Sequence, residues 1–128
     1  MPYKKGHQMS RFMGRNRELY LASRKRYYQK QKAKHLHDGW VRRLRRQFGL
    51  TESEYHAMLS AQNGVCAICL QVERKQHKGK PQRLSVDHCH ESGRVRGLLC
   101  HSCNAAIGHF RDDPLTMYRA AKYVRDAK

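Results

Sequence analysis

A chain of 128 residues carrying a net charge of +17, with 39% hydrophobic residues, has room for one compact domain plus an extension but too little apolar material for a large core. No apolar run approaches the ~18 residues that span a bilayer, and the opening MPYKKGHQMSRF lacks the apolar stretch of a secretory signal, so a cytoplasmic protein is expected. Fifteen of the 27 Lys and Arg lie in the first 50 residues, where Glu18 and Asp38 are the only acids, and basicity confined to one end favours a polyanionic partner, nucleic acid before membrane.

Residues 1–14 mix Gly6, Gly14 and Pro2 with basic residues and no sustained period, and are expected to form a flexible basic arm. From Arg15 to His37 the chain is rich in helix formers and free of Gly and Pro, which predicts a helix with nearly all faces polar or basic. Tyr20, Tyr27 and Tyr28 alternate with Arg24, Lys25 and Arg26. On nucleic acid the cations would neutralise phosphates while the rings pack on sugars or bases. The competing reading is a solvated helix whose tyrosines pack on the protein or on a second subunit.

Asp38-Gly39 is expected to break this run and to cap a second helix. Trp40, Val41, Leu44 and Phe48 then form an apolar stripe for the core, and Arg42, Arg43, Arg45 and Arg46 face outward before a stop at Gly49. Thr51 and Glu54 form a capping box for a third helix, which stops near Asn63-Gly64. Residues 71–83, QVERKQHKGKPQR, read as an exposed loop. Leu84 to Asp87 and Arg94 to Leu99 read as short strands around a turn at His90–Gly93. A helix follows from Asn104, and Asp113-Pro114 starts the last one. There Leu115, Tyr118, Ala121 and Val124 recur at helical spacing and are expected to pack on the domain.

Cys66 and Cys69 form one Cys-x-x-Cys pair, and Cys100 and Cys103 form another. Two such pairs complete the tetrahedron that zinc favours. Five cysteines in a cytoplasmic chain favour metal ligation over disulfides. A structural zinc would also compensate for the thin core, and it leaves no open coordination position for chemistry. Cys89 has no partner cysteine and reads as a small buried side chain, and His101 reads as exposed or hydrogen-bonded rather than zinc-bound.

The reactive chemistry therefore falls to Asp87, His88 and Asn104. A carboxylate and an amide oxygen are hard ligands suited to Mg²⁺ or a similar ion, with positions left for water and phosphate. An imidazole can take a proton from an attacking water near neutral pH. Because strand alternation would put Asp87 and His88 on opposite faces, a bend must bring them together. His90 either contacts phosphate or the hydrated metal, or merely finishes the turn. Arg94 and Arg96 either hold the scissile phosphate or are solvated.

The segments GLTESEY at 49–55, AQNGVCAIC at 61–69, VDHCH at 86–90 and GRVRGLLCHSCNAAIG at 93–108, followed by DDPLTMYRAAKYV, occur in this order. Together they resemble the recombination endonuclease VII family of phage nucleases, within the wider His-Asn-His or ββα-metal (HNH) nucleases. The resemblance implies an α+β, mostly helical fold with a zinc-anchored ββα-metal nuclease domain at 49–128; it does not reach residues 1–48, whose charge and composition lead to the expectation of a basic helical DNA-binding extension. It implies structural Zn²⁺ on Cys66, Cys69, Cys100 and Cys103. It also implies a catalytic Mg²⁺ or Mn²⁺ on Asp87 and Asn104, with His88 as general base. Family members cut phosphodiester bonds in DNA, and the best-known ones resolve branched junctions as dimers, so DNA and a second copy of the chain are the expected partners. The alternatives are a homing-type or site-specific nicking enzyme, or a non-catalytic zinc protein that binds DNA.

Overall fold

The helix predicted from Arg15 is the longest element of the computed structural model, which describes residues 17–127. The basic arm expected at 1–14 lies outside the described residues. Two compact units meet in sequence between Arg42 and Arg43.

In the first unit, α1 (Arg17–Arg43) runs for 27 residues without a buried side chain, about 40 Å at 1.5 Å per residue. Asp38 and Gly39 do not interrupt it, which corrects the expected break. An interior glycine costs only about 1 kcal/mol relative to alanine, and the helix formers on either side of Gly39 outweigh that. Leu19, Leu21, Tyr27, Tyr28 and Leu36 are all exposed. The Arg24 guanidinium lies 5.5 Å from the centroid of the Tyr28 ring, one turn on.

The second unit opens on a wide π-type turn, Leu44–Phe48, that continues α1. It ends where predicted, at Gly49, whose φ of +65° favours a residue without Cβ. The Gly49 N–H donates to the Arg45 carbonyl and the Leu50 N–H to that of Leu44, satisfying the last orphan acceptors. Helix α2 (Glu52–Ala61) starts from the expected capping box: Thr51 Oγ1 accepts the Glu54 N–H, and the Glu54 carboxylate accepts the Thr51 N–H at 2.7 Å. Within 71–83, Gln76–His77 (β1) and Lys80–Pro81 (β2) form a two-stranded ribbon. Its turn residues Lys78 and Gly79 both have positive φ, a hairpin geometry that the expectation of a plain loop did not anticipate.

The central hairpin pairs β3 (Ser85–His88) with β4 (Val95–Leu99) in antiparallel register, closed by the N–H of Gly93 on the Cys89 carbonyl. Helix α3 (His101–His109) begins directly after β4 and packs on both strands. Helix α4 (Pro114–Asp126) is capped by Asp113, as predicted. Leu44, Tyr55, Cys66, Leu84, Val86, Leu98, Leu99 and Cys100 make up the buried apolar core. Tyr55 crosses it to donate its hydroxyl hydrogen to the Leu84 carbonyl.

The Gln62 side chain behaves as an extra strand residue at the edge of β4, accepting the Leu98 N–H and donating to the Leu98 carbonyl, both at 2.9 Å. A Cβ on Gly97 would lie 3.3 Å from its Oε1, so a larger residue there would push the Gln62 amide back by a few tenths of an ångström. The predicted packing face of α4 is not buried: Leu115, Tyr118 and Val124 are 53%, 63% and 57% exposed, and Ala121 is exposed too. Thr116, Met117 and Ala120 are half-buried instead, because the small core is already enclosed by the hairpin, α2 and α3. No described helix is long and apolar enough to cross a membrane.

Candidate metal centre and active site

The chain reaches Cys66 from the turn after α2, and the backbone around it is pinned on both sides. The Cys66 N–H donates to the Gln71 carbonyl, and the Ala67 N–H to that of Leu98 at the end of the hairpin. This ties the first cysteine pair to β4, the strand that ends at Cys100. Cys103 follows one turn into α3, and the Sγ of Cys100 accepts its N–H. The four sulfurs lie within 4.8 Å of one another, and Cys69 Sγ to Cys100 Sγ is 3.7 Å. Tetrahedral zinc with bonds near 2.3 Å requires sulfurs about 3.8 Å apart, so the cluster is consistent with a structural zinc site.

The thiols themselves need a cation. Burial opposes ionisation of Cys66, yet the N–H groups of Cys100, Cys69 and Ile68 outweigh it and bring this thiol down to about 6. Burial, together with the neighbouring thiols of Cys100, Cys69 and Cys66, pushes Cys103 up to about 12. A shared cation would offset the repulsion among four thiolates packed this closely. His101 stays outside the cluster: its ring accepts from Lys75 Nζ at 3.1 Å, and its N–H donates to the Glu73 carboxylate. Cys89 is half-buried rather than buried. Hydrogen bonds from the Ser92 hydroxyl and N–H, with the Glu91 N–H, hold its thiol below the ordinary value.

The second cluster is built on a bulge in the central hairpin. Ser85, Val86 and Asp87 pair with Leu99, Leu98 and Gly97, but the register then shifts so that His88 pairs with Val95. Arg96 has no opposite residue. A bulge bends its strand and re-aims side chains; here the extra residue is Arg96 on β4, while Asp87 and His88 remain adjacent paired positions of β3. Asp87 is 9% exposed and receives a two-pronged ion pair from Arg96, Nε to Oδ2 at 2.7 Å and Nη2 to Oδ1 at 2.9 Å. Arg96 also reaches Asp112, Nη2 to Oδ1 at 3.3 Å. The other oxygen of Asp112 lies 2.8 Å from His90 Nδ1. The His90 ring stands edge-on to His88 at 4.9 Å, and His88 in turn packs on Phe48 at 5.3 Å.

Asp87, Arg96, Asp112, His90 and His88 therefore form one connected set. Asn104 sits half-buried in the first turn of α3, its N–H on the Cys100 carbonyl, on the helix that packs against β3. Among the described residues, the four cysteines are the one group of three or more His, Cys, Asp or Glu side chains that converges to metal-ligand distance. Arg94 is exposed, as are Arg24, Lys25, Arg26, Arg42, Arg43, Arg45 and Arg46. Arg96, by contrast, is committed to two carboxylates.

Sequence reasoning missed Asp112. It lies in the turn between α3 and α4, where Arg111 and Asp112 both adopt positive φ, 54° and 55°, a conformation that costs a non-glycine residue free energy and often marks a functional position. The available signal was the doubled Asp112-Asp113, since a helix cap needs only one of them.

Comparison with known proteins matches the family model for recombination endonuclease VII to residues 41–126. The gene 59 protein of Mycobacterium phage D29 is 44% identical over 87 residues, which are 67% of this chain and 50% of that protein. The gene 59 protein of Mycobacterium phage L5 is 41% identical over 86 residues, 66% of this chain and 49% of that protein. The chain thus spans about half the length of the curated relatives it matches. No solved structure matches it.

Proposed function

Because the chain belongs to the recombination endonuclease VII family, we propose that it is a metal-dependent DNA endonuclease that hydrolyses phosphodiester bonds. Residues 49–128 act as the nuclease domain and residues 1–48 as a DNA-binding extension. The observation that most supports this reading is the connected set that runs from buried Asp87 through Arg96 and Asp112 to His90 and His88, since a hairpin that only bound DNA would not need to bury a carboxylate there.

The donor set suits a divalent ion. Asp87 already grips a cation, the Arg96 guanidinium, and Asn104 adds a neutral amide oxygen, so water and phosphate oxygens can complete the shell of a Mg²⁺ or Mn²⁺. Such an ion supplies charge stabilisation on the phosphate and the leaving oxygen. His88 takes the proton of the attacking water as the new O–P bond forms and the bond from phosphorus to the leaving sugar oxygen breaks. His90, held through Nδ1 by Asp112, keeps Nε2 for a phosphate oxygen or water. The zinc cluster anchors the start of α3 and with it Asn104. Arg24, Lys25, Arg26, Arg42, Arg43, Arg45, Arg46 and Arg94 neutralise the DNA backbone, so binding weakens steeply with salt.

One observation favours a second reading, a non-catalytic zinc DNA-binding protein. The grip of Arg96 on Asp87 is what a carboxylate with no metal to bind would keep. Matched linear, nicked, mismatched and four-way-junction DNA, incubated with Mg²⁺ and with Mn²⁺, distinguish the two. Cleavage is expected, with branched DNA the favoured substrate, and Asp87→Ala or His88→Ala should lower it by about a hundredfold or more while DNA binding is largely kept. Equal cutting by wild type and both variants rejects the catalytic assignment. A folded protein that binds but cuts none of the substrates supports the second reading.

A further inference from the structure

Asp87 is the most buried charged residue of the second unit, and its partner comes from the one position of the hairpin that has none across the ladder. A carboxylate 9% exposed is costly to leave ionised without a compensating charge, so this position favours a cation. In the structure that cation is Arg96. Its side chain is 38% exposed, and it stands at the bulge, so it can swing without breaking a strand pair. It also has somewhere to go: Asp112 already holds Nη2 at 3.3 Å, a longer contact than either bond to Asp87. Asp112 is itself fixed from the other side by His90.

We propose that Arg96 is an internal counter-ion that competes with the divalent ion for Asp87, and that Asp112 is the carboxylate that retains Arg96 once the ion has displaced it. The inference rests on Asp87 being a ligand of that ion. Exchange of one cation for another keeps Asp87 compensated throughout. It also frees guanidinium N–H groups beside the ion, where a planar donor fork suits a DNA phosphate. Arg96 is thus a positioning residue before the ion binds and a phosphate anchor afterwards, so the anchor forms only when the ion is in place.

The test uses the full chain purified with zinc and measures binding of Mn²⁺ alone by calorimetry, for wild type, Arg96→Gln, Arg94→Gln and Asp87→Asn. Arg94→Gln removes the same charge two residues away, from a side chain that is exposed. Arg96→Gln should tighten Mn²⁺ binding by about tenfold or more, within the usual range of coupling between two sites. Arg94→Gln should change it by less than about threefold, the modest effect of an exposed charge. Asp87→Asn should abolish it. Equal tightening by the two arginine variants would mean a general charge effect and overturn the proposal, as would unchanged affinity in Arg96→Gln. If Mn²⁺ binds as tightly to Asp87→Asn as to wild type, Asp87 is not a ligand, and the reading beneath the proposal fails with it.

A second measurement needs no variant. In the wild-type protein the Arg96 Nε–H, bonded to Asp87 at 2.7 Å, should give an exchange-protected NMR signal that loses its protection as Mg²⁺ is added. Protection that persists at saturating Mg²⁺ overturns the exchange.

Discussion

Single side chains set the boundaries of the structure. Thr51 and Glu54 satisfy each other's backbone donors at the start of α2, and the N–H and hydroxyl of Thr51 hold the Glu54 carboxyl below its ordinary value of 4.5. Thr51→Ala should therefore cost about 1 kcal/mol at neutral pH, measured by urea unfolding. A carboxyl held low in the folded state stabilises it at pH values above its unfolded value, and that stabilisation is lost as pH falls through the lower folded value. The stability gap between wild type and Glu54→Gln should thus be present at pH 7 and close as pH falls below 4.5. The cap was legible in sequence because Thr-x-x-Glu acts within one turn. The partner of Asp87 was not, since Arg96 comes to it from the opposite strand and is held in turn by Asp112 from a turn beyond α3.

At the scale of elements, α1 shows where local reasoning fails. Asp-Gly is a strong breaker signal on its own, yet α1 passes through it to Arg43. The expected test is Gly39→Ala, whose added Cβ meets nothing closer than the flexible end of Arg42 at 4.0 Å. The substitution should stabilise the helix by about 0.5–1 kcal/mol, seen as a rise in helical circular dichroism at moderate temperature. A helix that broke there would show no gain. In α4 the opposite error occurred: its period is helical, but a helix in a small domain has more apolar faces than there is core to cover. Period identifies the element, whereas its phase is chosen by the neighbours.

The whole second unit depends on a core of eight buried apolar residues, two of which are cysteines of the metal cluster. Zinc bound to four thiolates can contribute on the order of 10 kcal/mol to folding, comparable to the entire stability of an ordinary domain. Chelation of the metal, or Cys66→Ser, should therefore abolish cooperative unfolding of this unit and collapse its NMR dispersion. Protein that is folded yet free of zinc by elemental analysis would contradict this. The effect belongs to the molecule because the cluster joins the turn after α2, the end of β4 and the start of α3.

Sequence alone determined what depends on neighbours along the chain: the caps at Thr51 and Asp113, the stop at Gly49, and the paired cysteines. These succeed because a few adjacent dihedrals and hydrogen bonds decide them. Tertiary structure alone decided that Gln62 closes the edge of β4, that Arg96 links Asp87 to Asp112, and which side of α4 faces inward. Those depend on segments far apart in sequence meeting around a small core, where burial of one carboxylate dictates which distant charge must answer it.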